Sequence, residues 1–315
     1  MGALTEIHLP QDSGCCTRCP THIKTGHAET WSCKISLHLS YSYAPRDPTR
    51  PIQANEVTKN NPFPPWREMS LVTKEFVVIT DKSELEEALR WAQIAILNPS
   101  KPHKHYIPGA QNNRARDMTT EAKFSPNMVS VEMSGPGLPP LSFFDLPGIF
   151  QNPSQKEDDY LVKVVENLAK KYIKHQQALV IHALPMSADP TTSRAGKVIR
   201  DLKAENRTLG VLTKADCLQI GHSDAQFKEL LDGRTHKVQH GYFVTKQMQT
   251  LKGSAPPSRD GEYHAKSKQS EEAFFEETYP WSDVEWKGYR NRCGTENLQR
   301  ALSQKFANQI IERYV

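Results

Sequence analysis

The sequence predicts an α/β fold whose sheet is mostly parallel, and the second half of the chain supplies the main reasons. Residues 178–184 and 209–212 are short continuous apolar runs, which are typical of strands buried on both faces. Between them, Asp189 caps and Pro190 opens a segment whose apolar residues recur at helical spacing. A strand, a helix and a second strand in this order require a crossover connection, which makes neighbouring strands parallel and covers the sheet with helices.

The first half of the chain adds two strands and a helix. In residues 31–41, apolar side chains alternate with serine, lysine and histidine, which is the period of a half-buried strand. Residues 71–79 are also typical of a strand. Ser83 and Glu86 have the spacing of a capping box, so they predict the start of a helix that stops at Pro99.

Five further elements complete the predicted order. Residues 129–133 alternate as a strand, and the apolar run 141–144 is typical of a buried strand. Apolar residues at i, i+3, i+4 and i+7 predict a helix over 161–168. A short strand at 242–244 and a final helix over about 295–312 close the chain.

Three polar segments predict poorly ordered loops. The segment 45–68 contains six prolines, which lack a backbone donor and bar a helix. The segments 99–123 and 250–270 are polar and show no helical or strand period.

Composition excludes several classes of protein. The 315 residues carry 40 Lys and Arg against 36 Asp and Glu, and a net charge of +4 over this length indicates no nucleic-acid partner. Six cysteines are too few for a disulfide scaffold, and no basic, apolar leader opens the chain. The most apolar stretch is too short to span a bilayer. We therefore expect a reduced, cytoplasmic protein.

Two short motifs, each directly after a predicted buried strand, carry the chemistry. Asp145 and Gly148 form Asp-x-x-Gly, while Thr213, Lys214 and Asp216 form Thr-Lys-x-Asp. Ligands of parallel α/β sheets bind beyond the carboxyl ends of the strands, which is where both motifs lie. Each motif alone is common, but two in this order at two strand ends predict one nucleotide site.

The residue types suit opposite ends of a guanosine nucleotide. A carboxylate such as Asp145 holds Mg²⁺ through water, and Gly148 lets its amide approach a terminal phosphate because it has no side chain. Asp216 can accept hydrogen bonds from N1 and N2 of guanine, a donor pair that adenine lacks. The alkyl stem of Lys214 would cover the base.

The sequence around these motifs resembles the GTPase domain of dynamins, especially fungal dynamin-like and myxovirus-resistance-like proteins. The strongest matches are residues 144–148 and 206–216. Residues 9–20 look like the segment that contains the family's first switch. The carboxyl end of the domain is matched by residues 274–275, 280–281 and 292–295.

The resemblance implies a three-layer G domain of the P-loop-NTPase type, with GTP as substrate and Mg²⁺ as cofactor. It makes Thr17 the switch threonine, which would act in catalysis by orienting the attacking water and would ligate Mg²⁺ together with Asp145. It makes Gly241 to Gln247 the last guanine-contacting segment, with Thr245, Lys246 and Gln247 as candidates.

One expected motif is missing from the 315 residues. The family requires a Gly-x-x-x-x-Gly-Lys-Ser/Thr loop, whose amides, lysine and hydroxyl hold the phosphates and Mg²⁺. We therefore expect a GTPase domain that is truncated at its amino terminus, lacks the first strand and the P-loop, and is inactive or incomplete as it stands. Without that strand, the strand ending at Asp145 and the strand at 178–184 should each keep an unpaired edge.

The resemblance also extends to partners and location. The family association implies self-association through the G domain, membrane remodelling, and binding to membranes or to microtubules by the full-length protein. The protein would then be cytoplasmic and peripheral to membranes. On this view residues 1–315 are one G domain, and the terminal helix 295–315 leads toward a stalk that these residues do not include.

Two other functions remain open. The chain can be a non-catalytic interaction module that keeps a dynamin-like surface for partner pairing. More remotely, Cys16, Cys19, His22 and Cys33 can be drawn as a tetrahedral zinc site. A buried thiol on a strand is the ordinary interpretation of Cys33.

Overall fold

The computed structural model describes residues 17–45, 50–109, 119–150, 152–153, 155–221, 223–247 and 261–314. These residues fall into two compact units, one that ends at Tyr172 and one that starts at Ile173. Each unit contains its own sheet with helices packed on it, so the α/β class is confirmed.

The first unit is built on a five-stranded mixed sheet. Its spatial strand order is β3-β2-β4-β1-β5, with β1 and β4 parallel and the other neighbours antiparallel. In chain order the strands are β1 (Thr21–His27), β2 (Ser32–Tyr43), β3 (Trp66–Ile79), β4 (Met128–Gly135) and β5 (Leu141–Asp145).

Alternation along these strands forms the core of the first unit. Ile23, Val131 and Ile35 stand side by side on β1, β4 and β2, and all three are buried. The helix α1 (Leu85–Leu97) packs against β2 and β4. Each such fully buried side chain contributes about 1.5 to 3 kcal/mol of hydrophobic stabilisation.

The start of α1 differs from the predicted capping box. Asp81, rather than Ser83, caps this end, because its carboxylate accepts the backbone N–H of Ser83. A short 3-10 turn over Lys82–Glu84 then leads into the helix. This hydrogen bond from the backbone N–H of Ser83 lowers the pKa of the Asp81 carboxyl group.

The described residues of the proline-rich segment 45–68 are more structured than its composition predicts. Phe63 and Trp66 are buried, and they pack with Tyr41 and with Leu168 of the helix α2 (Asp159–Ile173). β3 already begins at Trp66. Its described residues form a 3-10 turn over Ala54–Glu56 and no α-helix, and large apolar side chains anchor them to the core.

The other two expected loops also contain regular structure. Residues His103–Tyr106 form a 3-10 turn within 99–123, and the buried ring of Tyr106 lies near Trp91. In 250–270, a helix begins at Gly261. The polar sequence did not predict this helix, because its described side chains bury only a narrow face.

The second unit confirms the predicted parallel arrangement. Its sheet has the order β6-β7-β8, and both neighbouring pairs are parallel. The strands are β6 (Val180–Pro185), β7 (Thr208–Thr213) and β8 (Tyr242–Val244). The helices are α3 (Arg194–Asp201), α4 (Asp224–Leu231), α5 (Gly261–Glu277), α6 (Val284–Lys287) and α7 (Thr295–Tyr314).

Both faces of β7 are covered, whereas β6 lies at the edge and leaves Ala183 exposed, so the prediction that 178–184 is buried on both faces was wrong. Leu212 of β7 belongs to an apolar cluster with Phe227 of α4 and Phe275 of α5. Its neighbour Val211 points to the other face and packs in a cluster with Leu302 of α7. Successive residues of a strand face opposite sides, which explains why β7 is a continuous apolar run.

Two of the strands lie at sheet edges in the described part of the chain. Among the described residues, β5 pairs only with β1, and β6 pairs only with β7. These are the two strands for which an unpaired edge was predicted. In the part of the chain that the structure describes, no helix combines the length and the apolar character needed to cross a membrane.

Candidate functional site

Thr17 and Asp145 lie together in the first unit. Asp145 ends β5, which pairs antiparallel with β1 so that Asp145 stands opposite Thr21. Thr17 precedes Thr21 on the chain that enters β1, and it therefore reaches the end of β5. Its hydroxyl donates a hydrogen bond of 2.9 Å to Oδ2 of Asp145. The strand pairing thus brings together two residues that the sequence placed far apart.

The carboxylate of Asp145 is partly withdrawn from water. Burial raises its pKa above the ordinary value, and the hydrogen bond from Thr17 opposes that rise. A desolvated carboxylate gains when a cation approaches, because the cation restores the stabilisation that water no longer gives. Carboxylate and hydroxyl oxygens are also the hard ligands that Mg²⁺ prefers, so the donor set fits this ion.

Gly148 lies in an open position after the strand. Pro147 is buried, whereas Gly148 is exposed, and no atom lies within 4 Å of the place where a Cβ would sit. The chain beyond it is anchored, because the ring of Phe150 packs 5.6 Å from that of Phe124. The amide of Gly148 is therefore accessible on a segment that is held at both ends.

The Thr-Lys-x-Asp motif makes a sharp turn at the end of β7. Lys214 adopts a left-handed conformation, with φ +57° and ψ +52°, and a 3-10 turn over Ala215–Cys217 follows. Ala215 is buried, and its N–H donates to the carbonyl of Thr245 at 3.3 Å. Lys214 and Asp216 are left exposed on either side of it.

The residues after β8 lie beside this turn. Leu212 of β7 is in register with Val244 of β8, and the N–H of Thr245 donates to the carbonyl of Leu212 at 2.8 Å. Parallel pairing therefore puts the two strand ends at the same edge of the sheet. The second unit thus gathers Thr213, Lys214 and Asp216 with the segment Thr245–Gln247, which we call the β8 segment.

Lys246 and Gln247 of the β8 segment have different surroundings. The ammonium of Lys246 lies 3.3 Å from the hydroxyl of Ser270 and 5.2 Å from the ring centre of Phe274, both on α5. Gln247 is exposed. Lys246 is therefore held against α5, while Gln247 is presented to solvent.

Glu271 is a residue that the sequence reasoning missed. Its side chain is only 4% exposed, although α5 is polar along most of its length. One carboxylate oxygen accepts the N–H of Lys246 at 2.7 Å, and the other accepts the N–H and the hydroxyl of Thr295 at 2.8 and 2.6 Å. The one available signal was the acidic run 271–277 around Phe274 and Phe275, which is typical of an amphipathic helix.

The predicted site residues thus form two groups. Thr17, Asp145 and Gly148 belong to the first unit, and Thr213, Lys214, Asp216, Lys246 and Gln247 belong to the second. Within each group, the structure brings together residues that are distant in sequence. That both groups serve one cleft stays a prediction.

The described residues do not support the zinc alternative. Cys19 and Cys33 are buried, and burial raises the pKa of each thiol to about 12, which disfavours the thiolate that binds zinc. The His22 ring instead stacks on Phe144 at 4.2 Å. No group of three metal-binding side chains occurs in the described ranges, and Cys16 lies outside them.

Comparisons of this chain with a family model and with curated proteins agree on one family. The model of the dynamin family matches residues 1–215. Interferon-induced GTP-binding protein Mx1 of Bos taurus is 24% identical over 78% of this chain and 30% of its own length. The Mx1 protein of Ovis aries is 24% identical over 95% of the chain and 37% of its own length.

A plant relative extends the comparison. Phragmoplastin DRP1A of Arabidopsis thaliana is 28% identical over 60% of the chain and 28% of its own length. The chain thus spans about a third of the length of the curated relatives that it matches. The family model covers more than half of the chain and includes the segments of Thr17, Asp145 and Thr213. This protein belongs to the dynamin family.

Proposed function

We propose that this chain is the guanine-recognising part of a dynamin-type GTPase domain. The observation that carries the proposal is the juxtaposition of Thr213, Lys214 and Asp216 with the β8 segment at one edge of a parallel sheet. Two of the relatives described above are named GTP-binding proteins. The residues that face solvent at this edge have the chemistry that a guanine base requires.

Asp216 would determine the choice of base. Its carboxylate can accept two hydrogen bonds, from N1–H and from the 2-amino group of guanine. Adenine presents no such donor pair, and a site built for hydrogen bonds strongly rejects a ligand that leaves them unmade. Lys214, exposed beside Asp216, would lay its alkyl stem on the face of the base.

Thr17, Asp145 and Gly148 would serve the phosphate end. Asp145 and Thr17 provide the oxygen ligands for Mg²⁺, which when bound neutralises phosphate charge. Thr17 would exchange its hydrogen bond with Asp145 for a role in ligation and in orienting water. The open space beside Gly148 lets its backbone amide approach a terminal phosphate.

We further propose that these 315 residues neither bind GTP tightly nor hydrolyse it efficiently on their own. They contain no Gly-x-x-x-x-Gly-Lys-Ser/Thr motif, so they lack the amides and the lysine that such a loop offers to the phosphates. Each missing charge-assisted contact weakens binding by about 1.5 to 3 kcal/mol. Micromolar binding of a fluorescent GTP analogue by the purified chain would contradict this part of the proposal.

The base assignment has a sharper test, in which one substitution exchanges the preferred base. Asp216→Asn replaces one carboxylate oxygen by an amide donor, which suits xanthine because its position 2 carries a carbonyl in place of the amino group. We expect the unchanged chain to prefer GDP to xanthosine diphosphate in an NMR titration, and the variant to reverse that order. Asp224→Asn, on a nearby helix, is the matched control and should keep the original order.

Failure of the base test would favour the non-catalytic interaction module. For the whole protein we propose self-association through the G domain, association with membranes or with microtubules, and a cytoplasmic location peripheral to membranes. This part rests on family membership alone. Co-sedimentation of the full-length protein with vesicles, with and without guanine nucleotide, would test it.

A further inference from the structure

We infer that Glu271 is a positioning residue that holds the β8 segment in the conformation needed for recognition of the base. The inference rests on the proposed function, because it assigns to Glu271 control over a segment that would contact guanine. Glu271 would act through Lys246 and would not itself touch the ligand.

The first observation is that the charged side chain of Glu271 is buried and that both of its carboxylate oxygens accept hydrogen bonds. Glu271 is 4% exposed, and its carboxylate accepts three hydrogen bonds from Lys246 and Thr295. A buried carboxylate is tolerated when such donors replace water, and it then holds those donors firmly. Two of the three donors are backbone N–H groups, so this carboxylate orients the main chain itself.

The second observation is that Glu271 joins three elements at one point. It lies on α5, and its carboxylate accepts hydrogen bonds from the N–H of Lys246 in the β8 segment and from the N–H of Thr295, the first residue of α7. Alongside it, the N–H of Gly294 donates to the carbonyl of Val244 at 2.8 Å. The end of β8 is therefore tied to the start of α7 both directly and through Glu271.

The third observation concerns Gly294, whose backbone conformation permits this arrangement. Its φ of +91° is a conformation that residues with a Cβ rarely adopt, and the Cβ position would lie 3.9 Å from Oε2 of Glu271. The turn before α7 can thus bring Thr295 onto the carboxylate. The same turn positions Gly294 against Val244.

These contacts set the direction of the β8 segment. With its N–H bound to Glu271 and its ammonium on Ser270, Lys246 faces α5. Gln247 is consequently exposed, two residues after Thr245, whose carbonyl accepts the N–H of Ala215 in the turn. Loss of the carboxylate would release the main chain at Lys246 and let Gln247 move away from the sheet edge that carries Lys214 and Asp216. The sheet and the apolar core would stay in place.

Amide hydrogen exchange tests the positioning role without any nucleotide. In Glu271→Ala, we expect the amide of Lys246 to exchange about tenfold faster, because one buried hydrogen bond is lost. Glu272→Ala removes the exposed neighbouring carboxylate and should leave that rate unchanged. Unchanged Lys246 exchange in folded Glu271→Ala would overturn the inference.

A conservative variant covers the case in which Glu271→Ala does not fold. Glu271→Gln keeps the size of the side chain but has one acceptor for two anchoring points. We expect the sum of the exchange rates of the Lys246 and Thr295 amides to exceed the sum in the unchanged chain. It should stay below the sum expected when both hydrogen bonds are lost. Exchange at both amides equal to that of the unchanged chain would overturn the inference.

Base selectivity separates this inference from the proposed function. We expect Glu271→Gln to weaken GDP binding about fivefold in an NMR titration and to leave the weaker ADP binding unchanged. If Asp216→Asn abolishes the preference for GDP while Glu271→Gln keeps it in full, Glu271 does not position the site. If the unchanged chain shows no preference for GDP, the proposed function fails and the inference fails with it, even where the exchange result holds.

Discussion

The hydroxyl of Thr17 donates a hydrogen bond to the carboxylate of Asp145, across 2.9 Å and 128 positions of sequence. The antiparallel pairing of β1 with β5 creates this contact, because it places Asp145 opposite Thr21. The bond stabilises a carboxylate that burial otherwise disfavours. The protein therefore holds a partly desolvated anion at the end of a strand, with one hydroxyl to compensate for lost water.

Removing that hydroxyl should raise the pKa of Asp145 further. Thr17→Val keeps the shape of the side chain but deletes the donor, so the carboxylate loses the interaction that opposes burial. We expect a higher Asp145 pKa in a carbon-detected NMR titration and a loss of about 1 kcal/mol in unfolding free energy at neutral pH. Thr73→Val, on the exposed side of β3, should change neither quantity.

The size of this effect depends on pH. A carboxyl group whose folded pKa is raised stabilises the fold below its ordinary pKa, and that contribution is lost as the pH rises through the folded value. The destabilisation by Thr17→Val should therefore be largest at neutral pH and shrink in acid. Equal destabilisation at both pH values would contradict the role assigned to this hydrogen bond.

Neutralising Asp145 should separate stability from ligand binding. Asp145→Asn keeps an acceptor for Thr17 but removes the charge that burial disfavours. We expect its melting temperature without ligand to be equal to or higher than that of the unchanged chain, while the response to Mg²⁺ with GDP is lost. A clear fall in melting temperature would indicate that Asp145 serves the fold rather than a ligand.

Gly210 tests the packing of the second unit. A Cβ at this position would lie 2.1 Å from the ring of Tyr242, which is 1% exposed. We expect Gly210→Ala to cost about 1 to 3 kcal/mol in denaturant unfolding, because one of the two strands must shift. Gly26→Ala adds the same methyl group where no atom lies within 4 Å and is the matched control.

Acid should destabilise the second unit through His182. Burial, followed by the charges of His236 and Arg200, lowers the pKa of His182 to about 4, and its ring nitrogen lies 3.0 Å from the hydroxyl of Ser193. A histidine with a depressed pKa stabilises the fold above its ordinary value, and this contribution is lost as pH falls from 6.5 toward 4.

The measurement is unfolding by urea at several pH values between 7 and 4. We expect His182→Asn to flatten the loss of stability over this window, because the variant has no group that must take up a proton on unfolding. His105→Asn, which changes an exposed side chain, provides the comparison. An identical pH dependence in His182→Asn and the unchanged chain would show that other groups govern acid sensitivity.

Much of the fold was predictable because period and run length reflect burial directly. The alternation over 31–41 predicted β2, and the continuous apolar run 209–212 predicted the doubly covered β7. Thr213 was placed correctly at the end of a buried strand for the same reason. Asp145 also ends a strand, but the prediction that this strand is buried was wrong, because β5 lies at a sheet edge, none of its residues is buried and Phe144 is 42% exposed. The family resemblance is confirmed, since the dynamin model matches residues 1–215.

Contacts that depend on tertiary structure were not predictable. Phe63 and Trp66 make the proline-rich segment part of the core, although composition predicted a loose loop. Glu271 was missed because its partners, Lys246 and Thr295, lie 25 and 24 positions away in sequence. Sequence periodicity reports which face of an element is apolar, but it does not report which distant donor a buried carboxylate meets.

The central proposal is that Thr17, Asp145 and Gly148 contact the same guanosine nucleotide as Asp216 and the residues around it. An NMR titration of the chain with GDP and Mg²⁺ tests it directly, through the amide signals of Gly148 and Gln247. We predict that both signals shift with a single dissociation constant, and that ADP produces neither shift at the same concentrations. Shifts confined to one of the two amides, or two different dissociation constants, would contradict the account.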